Sequence, residues 1–294
     1  MNSSIEILTK IYKPYKVIAK GKTTIFNCTN GNYVIKPKCD KDIKELYRYL
    51  SSRSFEHFPK LIEDNREDVN VYEYIEDNSL DNEQKLYDLI NVISLLHNKT
   101  SYYKEVTNDK IKSIYEELLG RVAYMEEYFN KIIYIIEDSI FVSPSNNLIL
   151  NNSSKIFESL TFLKHEIEEW YKLSIDSNKI RVSLLHNNLE LEHYIKNKED
   201  YLISWDNYKI DSPILDIVKL YKHVYLNMNF SEPLKIYLEK FPLNESEKKL
   251  LFIMLVIPDE ITLTNDELKN VSIVRKYLDY IYKTEELIRP YYSV

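Results

Sequence analysis

Residues 181–206 read RVSLLHNNLELEHYIKNKEDYLISWD and hold the side chains best suited to chemistry. His186, Asn188, His193 and Asp206 stand in or beside polar segments at the ends of apolar runs. An imidazole can ligate a metal or carry a proton, a carboxylate can hold a cation, and an amide can only hydrogen-bond. His186 and His193 near Asp206 allow a metal site, although zinc favours tight Cys/His spacing and a closed ligand set. One carboxylate with one imidazole suits magnesium only in part. Taken alone, His186 after an apolar run reads as a hydrogen-bonded core histidine, and the chain as an unrelated α+β protein.

Such groups need a rigid base. The segment reads as strand, loop, strand, hairpin turn, strand, with the charged turn at 196–200 and the third run, 201–205, ending on Asp206. Upstream, residues 15–37 alternate and are broken at Lys20-Gly21-Lys22 and Asn30-Gly31-Asn32, which predicts three short antiparallel strands. Lys36 ends the third, and Pro37 stops the ladder. Ile43, Leu46, Tyr47 and Leu50 recur at helical spacing. Residues 57–62 and 69–75 carry strand signals around a polar turn at 63–68. From Leu80 onward the period becomes helical, with an apolar stripe from Leu86 to Leu96 that ends at His97. Further amphipathic helices are predicted over 109–136, 153–174, 233–241, 245–257 and 265–289, with a break at 143–147. Asp211-Ser212-Pro213 starts one more.

The chain has 294 residues, enough for one large domain or two lobes. A net charge of -7 argues against broad nucleic-acid or anionic-membrane binding. Cys28 and Cys39 lack metal-type spacing and make no disulfide framework, so a reducing cytoplasm is expected. The N-terminus has no signal-peptide core, and no apolar run is long enough to span a membrane. Tyr occurs 26 times and Gly 3 times. The tyrosines fit compositional bias from an AT-rich genome, or selection for a cross-linked assembly such as a spore coat. The scarce glycines leave little for a phosphate-cradling loop, which usually needs Gly for close backbone approach.

The segment 181–206 resembles the catalytic stretch of the protein-kinase-like small-molecule phosphotransferases, which include aminoglycoside, macrolide and choline kinases. Their pattern is H-x-D-x-x-x-x-N/H, a short hairpin, then apolar residues and a metal-binding Asp. His186 matches the first His, His193 the last position, and Asp206 the later Asp. Asn188 stands where the family has its catalytic Asp, and Asp206 is followed by Asn207-Tyr208 instead of Phe-Gly. The resemblance is dense over about 181–224 and a matter of order and register over 15–98.

The resemblance implies an α+β, bilobal, kinase-like fold: a β-rich nucleotide lobe at 1–75, a hinge at 76–80 and a helical lobe at 81–294. It implies ATP and Mg2+ as cofactors. His193 and Asp206 would hold the metal, Lys36, Glu45 and Gly21 would serve the phosphates and the lysine's ion pair, and Lys20, Lys22, Thr23 and Thr24 of the first connection are offered as further phosphate contacts. The backbone of Glu73 and Ile75 would meet adenine. His186 and Asn188 would occupy the catalytic loop, and His97 and Asp216 would be structural. Three functions follow: a pseudokinase that binds nucleotide or a partner, an active kinase of a small-molecule hydroxyl, or a spore-coat-type structural protein. The pseudokinase is expected, because Asn has no basic carboxylate to accept the acceptor's proton.

Overall fold

The structure is a computed structural model that describes residues 2–62, 68–78 and 81–292. The polar turn expected at 63–68 and the end of the expected hinge, Ser79 and Leu80, fall almost wholly outside these residues. In chain order the elements are α1 (Asn2–Tyr12), β1 (Lys16–Lys20), β2 (Thr23–Cys28), β3 (Gly31–Pro37), α2 (Ile43–Ser52), β4 (Leu61–Ile62), β5 (Val69–Glu73) and α3 (Asn82–Thr100). Then come β6 (Tyr102–Glu105), α4 (Asn108–Glu137), α5 (Pro144–Asn151), α6 (Ser153–Ser174), β7 (Lys179–Leu185), β8 (Tyr194–Lys196), β9 (Asp200–Leu202) and β10 (Lys209–Asp211). Helices α7 (Ile214–Val224), α8 (Ser231–Lys240), α9 (Glu245–Val256) and α10 (Glu267–Ile288) complete the chain. The chain forms two compact units: Met1–Ser101 with Leu184–Ile210, and Tyr102–Ser183 with Asp211–Val294.

The first unit is built on an antiparallel sheet of order β1-β2-β3-β5-β4. Alternation gives the sheet two unlike faces. Phe26, Cys28, Ile35, Val69 and Val71 turn to one face and form a core with Leu8 of α1. The helix α1 is absent from the sequence-based reading; it is short, eleven residues, and packing of Ile5, Leu8 and Tyr12 on the sheet supplies most of its stability. Ser4 ties it further by donating to the Asp68 carboxylate at 2.7 Å.

Two details differ from the expected hairpins. The β2–β3 turn places Thr29 and Asn30 at its centre, because Cys28 pairs with Gly31. Gly31, at φ +135, therefore opens β3, a conformation that glycine supplies without strain. The third β-prone run of the 181–206 segment also stops early, at Leu202. Ser204 turns left-handed at φ 65, and Trp205–Asn207 form a single 3-10 turn. Asp206 thus sits in a turn rather than at a strand end.

Helix α3 runs to Thr100, with His97 fully buried. The Thr100 hydroxyl donates to the Leu96 carbonyl and accepts from the Leu184 N–H at 3.2 Å, which anchors the strand leading into His186. In the second unit β6 pairs antiparallel with β7, Tyr102 opposite Val182. Helices α4, α5, α6 and α10 pack together there, with α9 against α6 and α7. The expected break at 143–147 is instead the start of α5: Ser143 caps it and Pro144 occupies its first turn, positions where both residues favour a helix start. Asp216 of α7 is fully buried. No helix among the described residues is long and apolar enough to cross a membrane.

Candidate functional site

Lys36 is delivered by parity. Tyr33 and Ile35 face the α1 core, so Val34 and Lys36 must face the other way. Thr23 and Ile25 of β2 and Tyr72 of β5 share that face, and with Val34 and Lys36 they line a cavity of about 370 Å3. His193, Ile203, Ser204, Trp205 and Asp206 supply further lining, all within the first unit.

The Lys36 ammonium donates to the Ser204 hydroxyl at 3.0 Å and lies 3.9 Å from the Asp206 carboxylate. Burial lowers the Lys36 pKa below its ordinary value, and Asp206 opposes the shift. Tyr47 and Tyr72 move the other way: burial first, and the Asp206 charge as a further cause, raise both phenols, which therefore remain neutral. Tyr47 stacks on Phe58, with ring centroids 4.1 Å apart.

The turn that carries Ser204 and Asp206 is fixed by the residue between them. The Trp205 indole is buried, donates to the Leu202 carbonyl at 2.8 Å and packs edge-on to His186 with centroids 4.7 Å apart. His186 is itself fully buried and donates from Nε2 to the Ile203 carbonyl at 2.8 Å. A carbonyl only accepts, so Nε2 carries the proton. His186 thus pins the loop to the turn and is not among the cavity residues. His193 donates from Nδ1 to the Asn188 carbonyl at 2.8 Å. Its own carbonyl accepts from the Ile203 N–H at 2.9 Å. Asn187, left-handed at φ 58, donates to the Asn207 carbonyl and closes the loop against the turn.

The other expected site residues are placed as follows. Asn188 is half-buried beside His193. Gly21, at φ +56, is the first of two central residues in a tight β1–β2 turn, and a side chain there would meet nothing within 4 Å. Glycine serves the turn's conformation at this position, not a close approach. Glu45 is exposed in the first turn of α2 and is not brought to Lys36, whose partners are Ser204 and Asp206; Tyr47 is the α2 residue that lines the cavity. Glu73 and Ile75 line it too. The Glu73 N–H donates to Lys60 and the Tyr74 N–H to Asn32, both at 3.0 Å. Ser204, Tyr47 and Tyr72 went unforeseen, whereas Lys20 and Thr23, expected as phosphate contacts of the β1–β2 connection, do line the cavity. Alternation from Lys36 signals Tyr72, whereas nothing in the sequence marks the left-handed turn at Ser204.

As a magnesium site the donor set fits poorly. Magnesium prefers oxygen ligands in near-octahedral array, and an imidazole nitrogen is a softer donor. The Asp206 carboxylate already shares its charge with Lys36 at 3.9 Å. Among the described residues, no group of three His, Cys, Asp or Glu side chains with ligand atoms all within 4.8 Å of one another includes His193 or Asp206. The cavity otherwise offers an apolar wall from Ile25, Val34 and Ile203, with Lys20, Lys36 and Thr23 as groups able to meet an anion.

No protein-family model matches the chain, and no curated protein matches its sequence. Solved structures do. An aminoglycoside phosphotransferase from Alicyclobacillus acidocaldarius is 10% identical, with a TM-score of 0.69 over 94% of this chain and 91% of that one. Spectinomycin phosphotransferase in complex with ADP and spectinomycin is 14% identical, with a TM-score of 0.54 over 97% and 98%. The AMP-bound complex of spectinomycin phosphotransferase gives 0.53 at 13% identity, over 100% and 95%. The protein therefore has the kinase-like fold of these phosphotransferases, with a small antiparallel sheet and a helix-rich remainder.

Proposed function

We propose that this chain is a nucleotide-binding protein of the kinase-like phosphotransferase fold with weak or no phosphoryl transfer. The lobes at 1–75 and 81–294, joined at 76–80, belong to this proposal. So do a place in the reducing cytoplasm and a second ligand, a small-molecule hydroxyl compound or a protein partner. Spectinomycin phosphotransferase, a fold neighbour, is a complex with ADP and spectinomycin.

The observation that carries the reading is the pairing of a kept lysine with a lost base. Lys36 is held in the cavity by Ser204 and Asp206. Base and phosphates would lie along the sheet face, with Lys36 as the phosphate contact. The sheet already uses the Glu73 and Tyr74 N–H groups, so the Glu73 carbonyl and the Ile75 N–H are the hinge groups for an adenine edge. Asn188 can hold an acceptor hydroxyl but cannot take its proton, and general-base help is typically worth about 10²–10⁴ in rate.

The test combines nucleotide binding by calorimetry with a transfer assay on aminocyclitol and choline acceptors. Micromolar to millimolar nucleotide binding is expected with negligible turnover, and Asn188→Asp is expected to raise any residual turnover without tightening binding. Turnover at ordinary kinase rates, about 1–100 per second, in the unaltered protein would overturn the reading.

A further inference from the structure

Lys36 is the cation that the Asp206 carboxylate already faces. Its ammonium lies between the Ser204 hydroxyl at 3.0 Å and that carboxylate at 3.9 Å. The two side chains flank Trp205 in one turn and converge on one positive charge. A divalent ion would need to displace or repel this ammonium, and it would find one carboxylate, a neutral hydroxyl and an imidazole nitrogen for ligands. Resting on the nucleotide reading above, we infer that the cavity takes a nucleoside mono- or diphosphate free of divalent metal, in preference to a magnesium triphosphate.

Three further observations point the same way. The cavity, about 370 Å3, lies at the small end of the range typical of ligand pockets, roughly 300–1,000 Å3. The β1–β2 connection is a two-residue turn, Gly21 and Lys22, so it brings few backbone N–H groups to cradle a polyphosphate. The lysines lining the cavity are Lys20 and Lys36, enough to contact a short phosphate chain. Without metal, the third phosphate would add charge that nothing there neutralises, and Glu73, Glu192 and Asp206 line the same cavity with the opposite sign.

The role of Ser204 follows from the same geometry. A carboxylate at this position would stand beside Asp206 and create the missing oxygen pair. Asp also tolerates the left-handed backbone that Ser204 adopts at φ 65.

Calorimetric titration of the full chain with AMP, ADP and ATP, in EDTA and in excess Mg2+, tests the inference. Affinity for AMP or ADP within about twofold in the two buffers, with magnesium ATP binding more weakly, is the expected result. Binding at least tenfold weaker in EDTA would overturn the inference and leave the nucleotide reading standing. No binding of any nucleotide by folded protein in either buffer would overturn both. Asp206→Asn separates the cases further. Removal of a negative charge beside the phosphates should tighten metal-free ADP binding a few-fold, whereas a metal-holding Asp206 would make the substitution abolish it. Ser204→Asp should create a magnesium dependence of tenfold or more; a folded variant with none would overturn the assignment of Ser204.

Discussion

The Ser204 hydroxyl accepts a hydrogen bond from the Lys36 ammonium at 3.0 Å, across 168 positions of sequence. Ser204 adopts φ 65 to reach it, a strained conformation for a residue with a side chain. Strain of this kind persists where surrounding structure over-determines it, and here buried Trp205 and His186 do so.

Ser204→Ala and Ser204→Gly separate strain from hydrogen bonding. Both remove the acceptor of Lys36, a loss of about 1–2 kcal/mol for a partly buried bond to a charged group. Glycine also relieves the left-handed strain, worth about 1 kcal/mol. Ser204→Gly should therefore be the more stable of the two in urea unfolding. The reverse order would show that the turn is not strained.

Lys36→Met should lose phosphate-dependent nucleotide affinity by at least tenfold with little loss of thermal stability. Burial lowers the Lys36 pKa from its ordinary 10.5, so the folded state disfavours the charge. That penalty is present in full below the folded pKa, where the lysine is charged in both states. It is relieved as pH rises through the folded pKa toward 10.5. The stability of the unaltered protein relative to Lys36→Met should thus increase with pH in that alkaline window, which thermal melts across pH 8–11 would show.

Asp200 gives the opposite sign. Burial works against its ionisation, but hydrogen bonds from Lys196 and Tyr194, both at 2.5 Å, prevail and hold its pKa below 3.8. The stabilisation is present above the unfolded carboxylate range and disappears as pH falls through the folded value. Asp200→Asn should cost about 1 kcal/mol at neutral pH, since Asp88 stays 3.8 Å from Lys196 as a second partner. The difference from the unaltered protein should begin to narrow below about pH 4 and keep narrowing as pH falls toward the folded value. A gap that stays constant from neutral to acid pH in chemical unfolding would assign the effect to packing.

Helix α1 is tested by Leu8→Ala. Leu8 is fully buried against the sheet face opposite the cavity. The substitution should destabilise by about 2–4 kcal/mol. Because Val34 and Lys36 point the other way, nucleotide affinity of the folded fraction should change by less than threefold.

The sequence by itself determined the strand-to-helix change of period, the bounds of α6 and, within a few residues, those of α3, α4 and α8 to α10. It also determined that an amide, Asn188, stands where the resemblance implies a base. Periodicity and residue chemistry are local properties, and local reading suffices for them. The tertiary structure alone decided that Lys36 meets Ser204 as well as Asp206, that Tyr47 lines the cavity while Glu45 faces solvent, and that His186 is a buried brace. It alone decided that 2–12 fold into a helix on the sheet. Each of these depends on a contact between distant segments, or on a left-handed backbone at one serine that only buried neighbours can hold in place.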